Sequence, residues 1–178
     1  MSEVVSNHYL ENLLKICPHH STSALPWLGQ LRAEAVDRVS TLKMPTTRDE
    51  EWRFTDISPL TELLCQAAET VPQVQSAEIE HHYLQEAETR LVFVDGQYAP
   101  QLSTIIHDSG IIVDNLSKLS ANYSAKIAAY LGQYTNFNDN IFAALNTAFF
   151  HDGAVIIVPQ NTSIAPPIHL LFIATQKE

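Results

Sequence analysis

The 178-residue sequence has few cysteines, Cys17 and Cys65 only. Two thiols are too few for a disulfide framework, and too few for a four-thiolate cluster held by a single chain. We therefore interpret both as reduced, partly buried thiols, which fits a protein of the cytoplasm. We do not expect a catalytic thiol, because Cys65 lies in the helical stretch LLCQAA and either cysteine could act as a nucleophile only through tertiary contacts.

Basic residues are also scarce: 10 Lys and Arg stand against 20 Asp and Glu, a formal net charge of −10. Nucleic-acid binding requires clustered Lys and Arg, and no stretch holds three of them together. The same scarcity argues against binding to an anionic membrane surface. We therefore expect neither nucleic acid nor membrane among the partners.

Long apolar runs are missing. The longest, residues 154–159, is far too short to cross a bilayer, and the first residues lack the features of a signal peptide. The sequence also contains no glycine-rich phosphate loop and no nucleophile elbow. The composition, with 46% apolar and 17% charged residues, is that of an ordinary globular protein.

Helical spacing dominates the N-terminal part. Two apolar stripes at intervals of three and four predict two helices, the first ended by Pro18 and the second by Pro45. The stripes consist of Val5, Tyr9, Leu13 and Ile16, and then of Leu28, Leu31, Ala35, Val39 and Leu42. After Pro45, Thr47 and Glu50 have the spacing of a capping box, which predicts another short helix broken at Ser58-Pro59. Residues 61–90 indicate a linker with one or two short helices.

Strand signals begin at Leu91. Residues 91–100 predict a hairpin around an Asp95-Gly96 turn, and residues 110–113 predict another strand. Two helices should follow, one capped by Asp114 or Asn115 and ended by Gly132, the other capped by Asn138. The inward residues of these helices are predicted to be Leu116, Leu119, Tyr123, Ile127 and Leu131, and then Ile141, Phe142, Leu145 and Phe149.

Two continuous apolar runs close the sequence, AVIIVP at 154–159 and PIHLLFIA at 167–174. Such runs are typical of strands buried on both faces. Because an uncovered apolar sheet edge favours aggregation, we expect either a longer native chain or pairing with a second copy.

Histidines and acidic residues offer candidate metal or acid–base sites, but their spacing favours structural roles. The pairs His19-His20 and His81-His82 are adjacent, which is not a chelating spacing, so we expect exposed polar residues. His151-Asp152 fits a turn better than an oriented imidazole, and His169 fits a strand histidine hydrogen-bonded to a neighbour. Asp49, Glu50 and Glu51 fit the first turn of a helix, near its positive dipole end.

Three stretches together resemble the SufB/SufD family of iron–sulfur cluster assembly scaffolds. They are PTTRDEEWRFTDISPL at 45–60, LVFVDGQYAPQLS at 91–103 and FAALNTAFFHDGAVIIVPQNTSIAPPIHLLFIA at 142–174. The third stretch is the most specific, and the first two favour the SufD branch over the SufB branch. The resemblance covers about residues 25–178.

The resemblance implies an α+β fold in which a mostly helical N-terminal domain leads into a β-helix core. We expect a helical region at 1–90, a mixed part at 91–152 and the start of a truncated β-helix at 153–178. Strands at 154–158 and 168–173 would then be the first of that solenoid, whose coils need neighbours to bury their faces.

The resemblance also implies a non-catalytic role in a complex with SufB-like and SufC-like subunits. The family's cluster-binding and docking elements lie later in the chain, so no residue here inherits a catalytic, cofactor-binding or metal-binding role. A nascent iron–sulfur cluster would belong to the assembled complex. Three alternatives remain open. One is the N-terminal domain of a β-helix enzyme such as an acyltransferase, and another is self-association through exposed strands. The third is a stand-alone metal-binding module that uses histidines and acidic residues, which substitution of His151 and His169 would test.

Overall fold

A computed structural model describes residues 3–17, 25–63, 65, 74–106, 110–119 and 121–175. The chain is α+β, with helices first and a few strands after them, as predicted. It divides into two compact units: residues 1–67 with 125–150 form the helical unit, and residues 68–124 with 151–178 form the sheet unit. The predicted boundaries at 90 and 152 stay a prediction.

The regular elements are five α-helices and five strands in the described residues. The helices are α1 (Glu3–Ile16), α2 (Pro26–Thr41), α3 (Ser76–Ile79), α4 (Ala121–Ala128) and α5 (Ile141–Ala148). The strands are β1 (Thr89–Val94), β2 (Gln97–Tyr98), β3 (Ile112–Asn115), β4 (Ala154–Ile157) and β5 (Ile168–Ile173). Single 3₁₀ turns occupy Glu50–Trp52, Ser58–Glu62, Glu80–His82, Pro100–Leu102 and Leu116–Lys118.

Both predicted N-terminal helices are present. Helix α1 ends at Ile16, and α2 begins at Pro26, where a proline costs no helical hydrogen bond. The α2 stripe faces the core of the helical unit, with Leu28, Ala35 and Val39 buried. The linker, expected to hold one or two short helices, contains α3 and the 3₁₀ turn at Glu80–His82.

Helix α5 belongs to the same core as α2. Ala35, Ala144 and Ala148 are fully buried in one apolar cluster, and residues this small allow a close approach of their neighbours. The predicted inward residues are only partly right, because Ile141 is buried while Phe142, Leu145 and Phe149 are partly exposed at the margin. The Trp52 ring packs 5.2 Å from the ring of Phe142.

The prediction of Asn138 as the α5 cap was wrong. Asn140 is the cap, because its side-chain oxygen accepts hydrogen bonds from Phe142 N (2.9 Å) and Ala143 N (3.0 Å). Asn138 belongs to the preceding loop, where its carbonyl oxygen accepts from Arg38 and its N–H donates to the Asn136 side chain.

The segment after Pro45 holds less helix than its spacing predicts. The capping box at Thr47 was wrong, because Asp49 is the local acceptor: its Oδ2 accepts from Thr46 N at 2.7 Å and from Thr46 Oγ1 at 3.1 Å. Only the 3₁₀ turn at Glu50–Trp52 follows. Ser58-Pro59 starts a 3₁₀ turn instead of breaking a helix, with Ser58 N donating to Asp56 Oδ1.

The predicted hairpin is confirmed. Strands β1 and β2 are antiparallel, with Phe93 opposite Tyr98. Asp95 and Gly96 both have positive φ, 46° and 79°, as the two central residues of a type I′ turn require. Residues after β5 hold the turn, because Thr175 donates from its N–H and hydroxyl to the Asp95 carboxylate at 2.8 and 2.6 Å.

Strand β5 pairs in parallel with β1, from Thr89 opposite Ile168 to Val94 opposite Ile173. This makes a sheet in the order β2-β1-β5. The expectation that both C-terminal runs are buried on both faces was wrong. Only Val155 is buried in β4, and alternate residues of β5 are exposed, including Leu170 and Phe172.

The helix predicted from Asp114 or Asn115 was also wrong. The strand expected at 110–113 is β3, which runs to Asn115 and pairs antiparallel with β4. A 3₁₀ turn and then α4 replace the long helix. Gly132 does follow as an end signal, with φ 77°, and a Cβ there would lie 2.9 Å from Leu31 Cδ1.

The predicted β-helix is not tested by these strands. In the described part of the chain they form one three-stranded and one two-stranded sheet, without a closed solenoid. Among the described residues, no helix combines the length and the apolar character needed to span a bilayer.

Candidate functional site

Asp152 is the centre of a hydrogen-bonded turn in the sheet unit. Its Oδ1 accepts from Gly153 N (2.9 Å) and Ser117 N (3.1 Å), and its Oδ2 accepts from Ser117 Oγ (3.1 Å) and Asn115 Nδ2 (2.5 Å). Both carboxylate oxygens therefore accept two hydrogen bonds each, and these bonds connect the end of β3 to the start of β4. The structural interpretation of His151-Asp152 is supported, and His151 is exposed.

Asn115, which the sequence offered as a helix cap, instead anchors this turn. Its side chain is 1% exposed, Nδ2 donates to Ser117 Oγ and Asp152 Oδ2, and Oδ1 has no hydrogen-bond partner. The sequence signal was an asparagine after an apolar strand, which equally suits a helix cap. Only the pairing of β3 with β4 brings Asn115 to Asp152.

His169 is a strand histidine with a neighbouring hydrogen bond, as predicted. Its Nδ1 accepts from Leu84 N at 3.2 Å. It pairs in register with Arg90 of β1, and Arg90 lies over the Tyr83 ring, 3.5 Å from the centroid. This group of Arg90, Tyr83 and His169 could not be assembled from spacing, since its members come from three separated segments.

The two cysteines differ in their surroundings. Cys17 is free and buried, and its Sγ donates to the Ala148 carbonyl at 3.5 Å. Burial raises the pKa of the Cys17 thiol, which opposes thiolate chemistry. Cys65 is free and exposed, contrary to the expectation of a partly buried thiol, with Tyr9 Oη 4.0 Å from its Sγ.

The pKa of Tyr9 depends on the burial of its phenol and on the neighbouring Cys65 thiol. Desolvation is the main cause that raises the pKa of Tyr9 to about 12, and the neighbouring Cys65 thiol adds to it. The phenol therefore stays protonated across the physiological range, where it serves as a hydrogen-bonding group.

The remaining candidates lie apart from one another. His81 and His82 are exposed, as predicted, and their ring centroids lie 3.9 Å apart with the ring planes tilted by 45°. His19 and His20 lie outside the described residues. Asp49, Glu50 and Glu51 are exposed in and before a 3₁₀ turn. No three His, Cys, Asp or Glu side chains of the described ranges are grouped closely enough to hold a metal ion.

Strand β5 exposes two large apolar side chains to solvent. Phe172 is 65% exposed and Leu170 is 38% exposed, although Phe172 stacks on the buried Phe93 ring with centroids 5.1 Å apart. Within the described residues, β5 is an edge strand, paired only with β1. A partly exposed apolar edge strand is suited to further pairing more than to chemistry.

Known proteins resemble this chain along most of its length. The model of the SufBD protein N-terminal region matches residues 5–170. An iron–sulfur cluster assembly SufBD family protein of Synechocystis is 42% identical over 144 residues, which are 80% of this chain and 31% of that protein. The iron–sulfur cluster assembly protein SufD of Bacillus subtilis is 23% identical over 158 residues, 83% of this chain and 35% of that protein.

A shorter match is to the Arabidopsis thaliana SufBD family protein ABCI9, 37% identical over 67 residues. The chain thus spans about a third of the length of the relatives that it matches most extensively. The resemblance carried by the three sequence motifs is confirmed, because the family match covers nearly every described element. This chain belongs to the SufBD family, in the region that forms the N-terminal part of its members.

Proposed function

We propose that this chain is the N-terminal part of a SufD-type scaffold in iron–sulfur cluster assembly, and that it performs no catalysis itself. The observation that carries the proposal is the family match over residues 5–170. The name of the Bacillus subtilis relative supports the SufD type, and the names of both extensive relatives refer to cluster assembly.

The proposed contribution of this segment is structural. Cys17 is buried, Asp152 is saturated with hydrogen-bond donors, and His169 Nδ1 is engaged by Leu84. These contacts support a role in folding or docking instead of ligation. The nascent cluster, as the cargo of the machinery, would be held by the assembled complex, which we propose to include SufB-like and SufC-like subunits.

The proposed architecture continues from β5 into a β-helix. An edge strand with exposed Leu170 and Phe172 supports this, because a neighbouring solenoid coil would cover such side chains. Pairing with a second copy through the same strand is the competing arrangement. The cytoplasm remains the proposed compartment, supported by the two free thiols.

The test is an affinity purification of the native protein from its source cells, tagged at its own gene. We expect SufB-like and SufC-like subunits to copurify, and depletion of the protein to lower the activity of iron–sulfur enzymes. An untagged strain is the control. Recovery of the protein alone, with unchanged iron–sulfur enzymes after depletion, would overturn the proposal. An immunoblot of the same cells gives the native length, and a band at 19.9 kDa would contradict the β-helix.

The non-catalytic role has its own test. Cys65→Ser changes an exposed thiol and His151→Ala an exposed imidazole, so both variants should fold. We expect both to restore cluster assembly in depleted cells. Loss of assembly with either variant, at normal protein level, would assign chemistry to this segment. Membership of the SufBD family favours the assembly function over the acyltransferase alternative.

A further inference from the structure

Two nitrogen-rich side chains lie side by side where β1 and β5 begin. Arg90 and His169 are register partners in the parallel pair. In-register residues of neighbouring strands project to the same face of a sheet, at the strand spacing of about 4.8 Å. Because side chains alternate between the two faces of a strand, Val92, Val94 and Leu171 project to this same face. Arg90 and His169 are therefore polar neighbours of an apolar surface.

Arg90 has donors that the described protein does not use. Its guanidinium stacks on the Tyr83 ring, and its hydrogen bond from Nη2 to Thr104 Oγ1 is long, at 3.5 Å. Its Nε is buried and has no acceptor. No carboxylate of the described ranges forms an ion pair with it. Buried donors in proteins nearly always have a partner, so this guanidinium is incompletely satisfied.

His169 adds another donor on the same face. Because Nδ1 accepts from Leu84 N, the neutral ring carries its proton on Nε2. Both side chains are only partly buried, so solvent and small solutes reach them. The Leu84 contact fixes the ring, and the Tyr83 stack fixes the plane of the guanidinium.

We propose that Arg90 and His169 form a binding site for one oxyanion, a phosphate or carboxylate group. A guanidinium presents a planar fork of donors that matches two oxygens of such a group, and an imidazole N–H supplies a third hydrogen bond. An anion that engaged Nε and one terminal nitrogen would also satisfy the buried donor after a small shift of the side chain. Because the whole protein has a net charge of −10, the attraction for an anion comes from Arg90 and His169 and not from the overall charge. The site is independent of the proposed scaffold function.

The test is a titration of the 178-residue chain by NMR, with inorganic phosphate and, separately, acetate at constant ionic strength. We expect saturable shifts of the Leu84 and His169 amide signals with at least one of the two anions. Saturation by phosphate alone would identify a phosphate site, and saturation by acetate would identify a carboxylate site. Absence of saturable shifts with both anions would overturn the proposal.

Arg90→Gln should weaken binding about tenfold or more, the effect of losing a charge-assisted hydrogen bond. The matched control is Arg53→Gln, which removes the same charge from an exposed arginine that stacks on the exposed Phe54. Binding should be unchanged there. Equal weakening in both variants would show non-specific attraction and overturn the site.

A second variant remains informative if Arg90→Gln does not fold. His169→Asn places an acceptor near the position of Nδ1, which keeps the Leu84 contact, and removes the Nε2 donor. We expect an unchanged thermal midpoint and weaker anion binding. Unaltered binding in a folded His169→Asn protein would remove His169 from the site and contradict the proposed pair.

Discussion

The two compact units differ in how completely they cover their apolar residues. In the helical unit, the buried cluster that includes Ala35, Ala144 and Ala148 is surrounded by partly buried neighbours. In the sheet unit, β1 is buried almost throughout, while its neighbour β5 exposes alternate apolar side chains. An apolar run in the sequence therefore predicts a strand, but it does not show whether one face of that strand is buried or both.

The largest expected effect tests this contrast within one sheet. Phe93 is 1% exposed and stacks on Phe172, which is 65% exposed. Phe93→Ala should lower the free energy of unfolding by about 3–5 kcal/mol, because it removes a buried ring and leaves a cavity. Phe172→Ala should cost under about 1 kcal/mol, since most of its surface is already in water. Urea denaturation of both variants measures the difference.

Equal costs for the two substitutions would contradict this difference in burial between β1 and β5. They would mean that the outer side of β5 is as covered in solution as β1, for example by a second copy. Sedimentation of the same samples would then show a species larger than the monomer.

A smaller effect is expected in the helical core. Ala144 is fully buried, so Ala144→Leu should destabilise the chain by about 1–3 kcal/mol through overpacking. Asn146→Leu is the control on an exposed position of the same helix and should be nearly neutral. A neutral Ala144→Leu in thermal unfolding would show that this core is loosely packed, and would remove the contrast with the sheet unit.

The cap of α5 should contribute less still. Asn140→Ala removes two hydrogen bonds to the first helical turn and should cost about 1 kcal/mol. Asn138→Ala, at the position that spacing alone selected, should leave the unfolding midpoint almost unchanged, because only the backbone of Asn138 is engaged. A larger loss of stability in Asn138→Ala than in Asn140→Ala would instead identify Asn138 as the cap.

The smallest effect concerns alkaline pH. Since burial raises the pKa of Cys17, the folded state holds this proton more tightly than the unfolded state. The associated stability is present below the thiol's ordinary pKa, roughly 8.5, and is lost as pH rises through the raised value. Cys17→Ala should therefore flatten the fall in stability above that pH, in urea denaturations repeated across alkaline pH. An unchanged slope in Cys17→Ala would contradict the burial argument.

Local sequence signals were sufficient to predict an element when the residues of that one segment determine its backbone geometry. The apolar stripes of α1 and α2 and the Asp95-Gly96 hairpin follow from periods of 3.6 and 2 and from turn chemistry. Caps were harder, because Asn138 and Asn140 are chemically identical and two residues apart. The choice depends on which backbone N–H groups are left without a partner, and that follows from where the helix packs.

Long-range contacts explain the failures. Asn115 resembled a helix cap, yet its side-chain amide donates a hydrogen bond to Asp152, which is 37 residues away in the chain. The candidate oxyanion site needs Arg90 and His169, brought together only by the parallel register of β1 and β5. Neither contact can be recognised from the spacing of residues in the sequence. Both depend on strand register, which is set by the packing of both faces of the sheet at once.

The amino-acid sequence was sufficient to predict the class of fold, most of the helices and strands, and the family. These follow from composition, periodicity and local chemistry, which act over a few residues. Tertiary packing sets which face of β5 is covered and which asparagine caps α5. It also places Arg90 beside His169, with a buried Nε that has no acceptor. Burial and register are properties of segments in contact, so they exist only once distant parts of the chain have packed together.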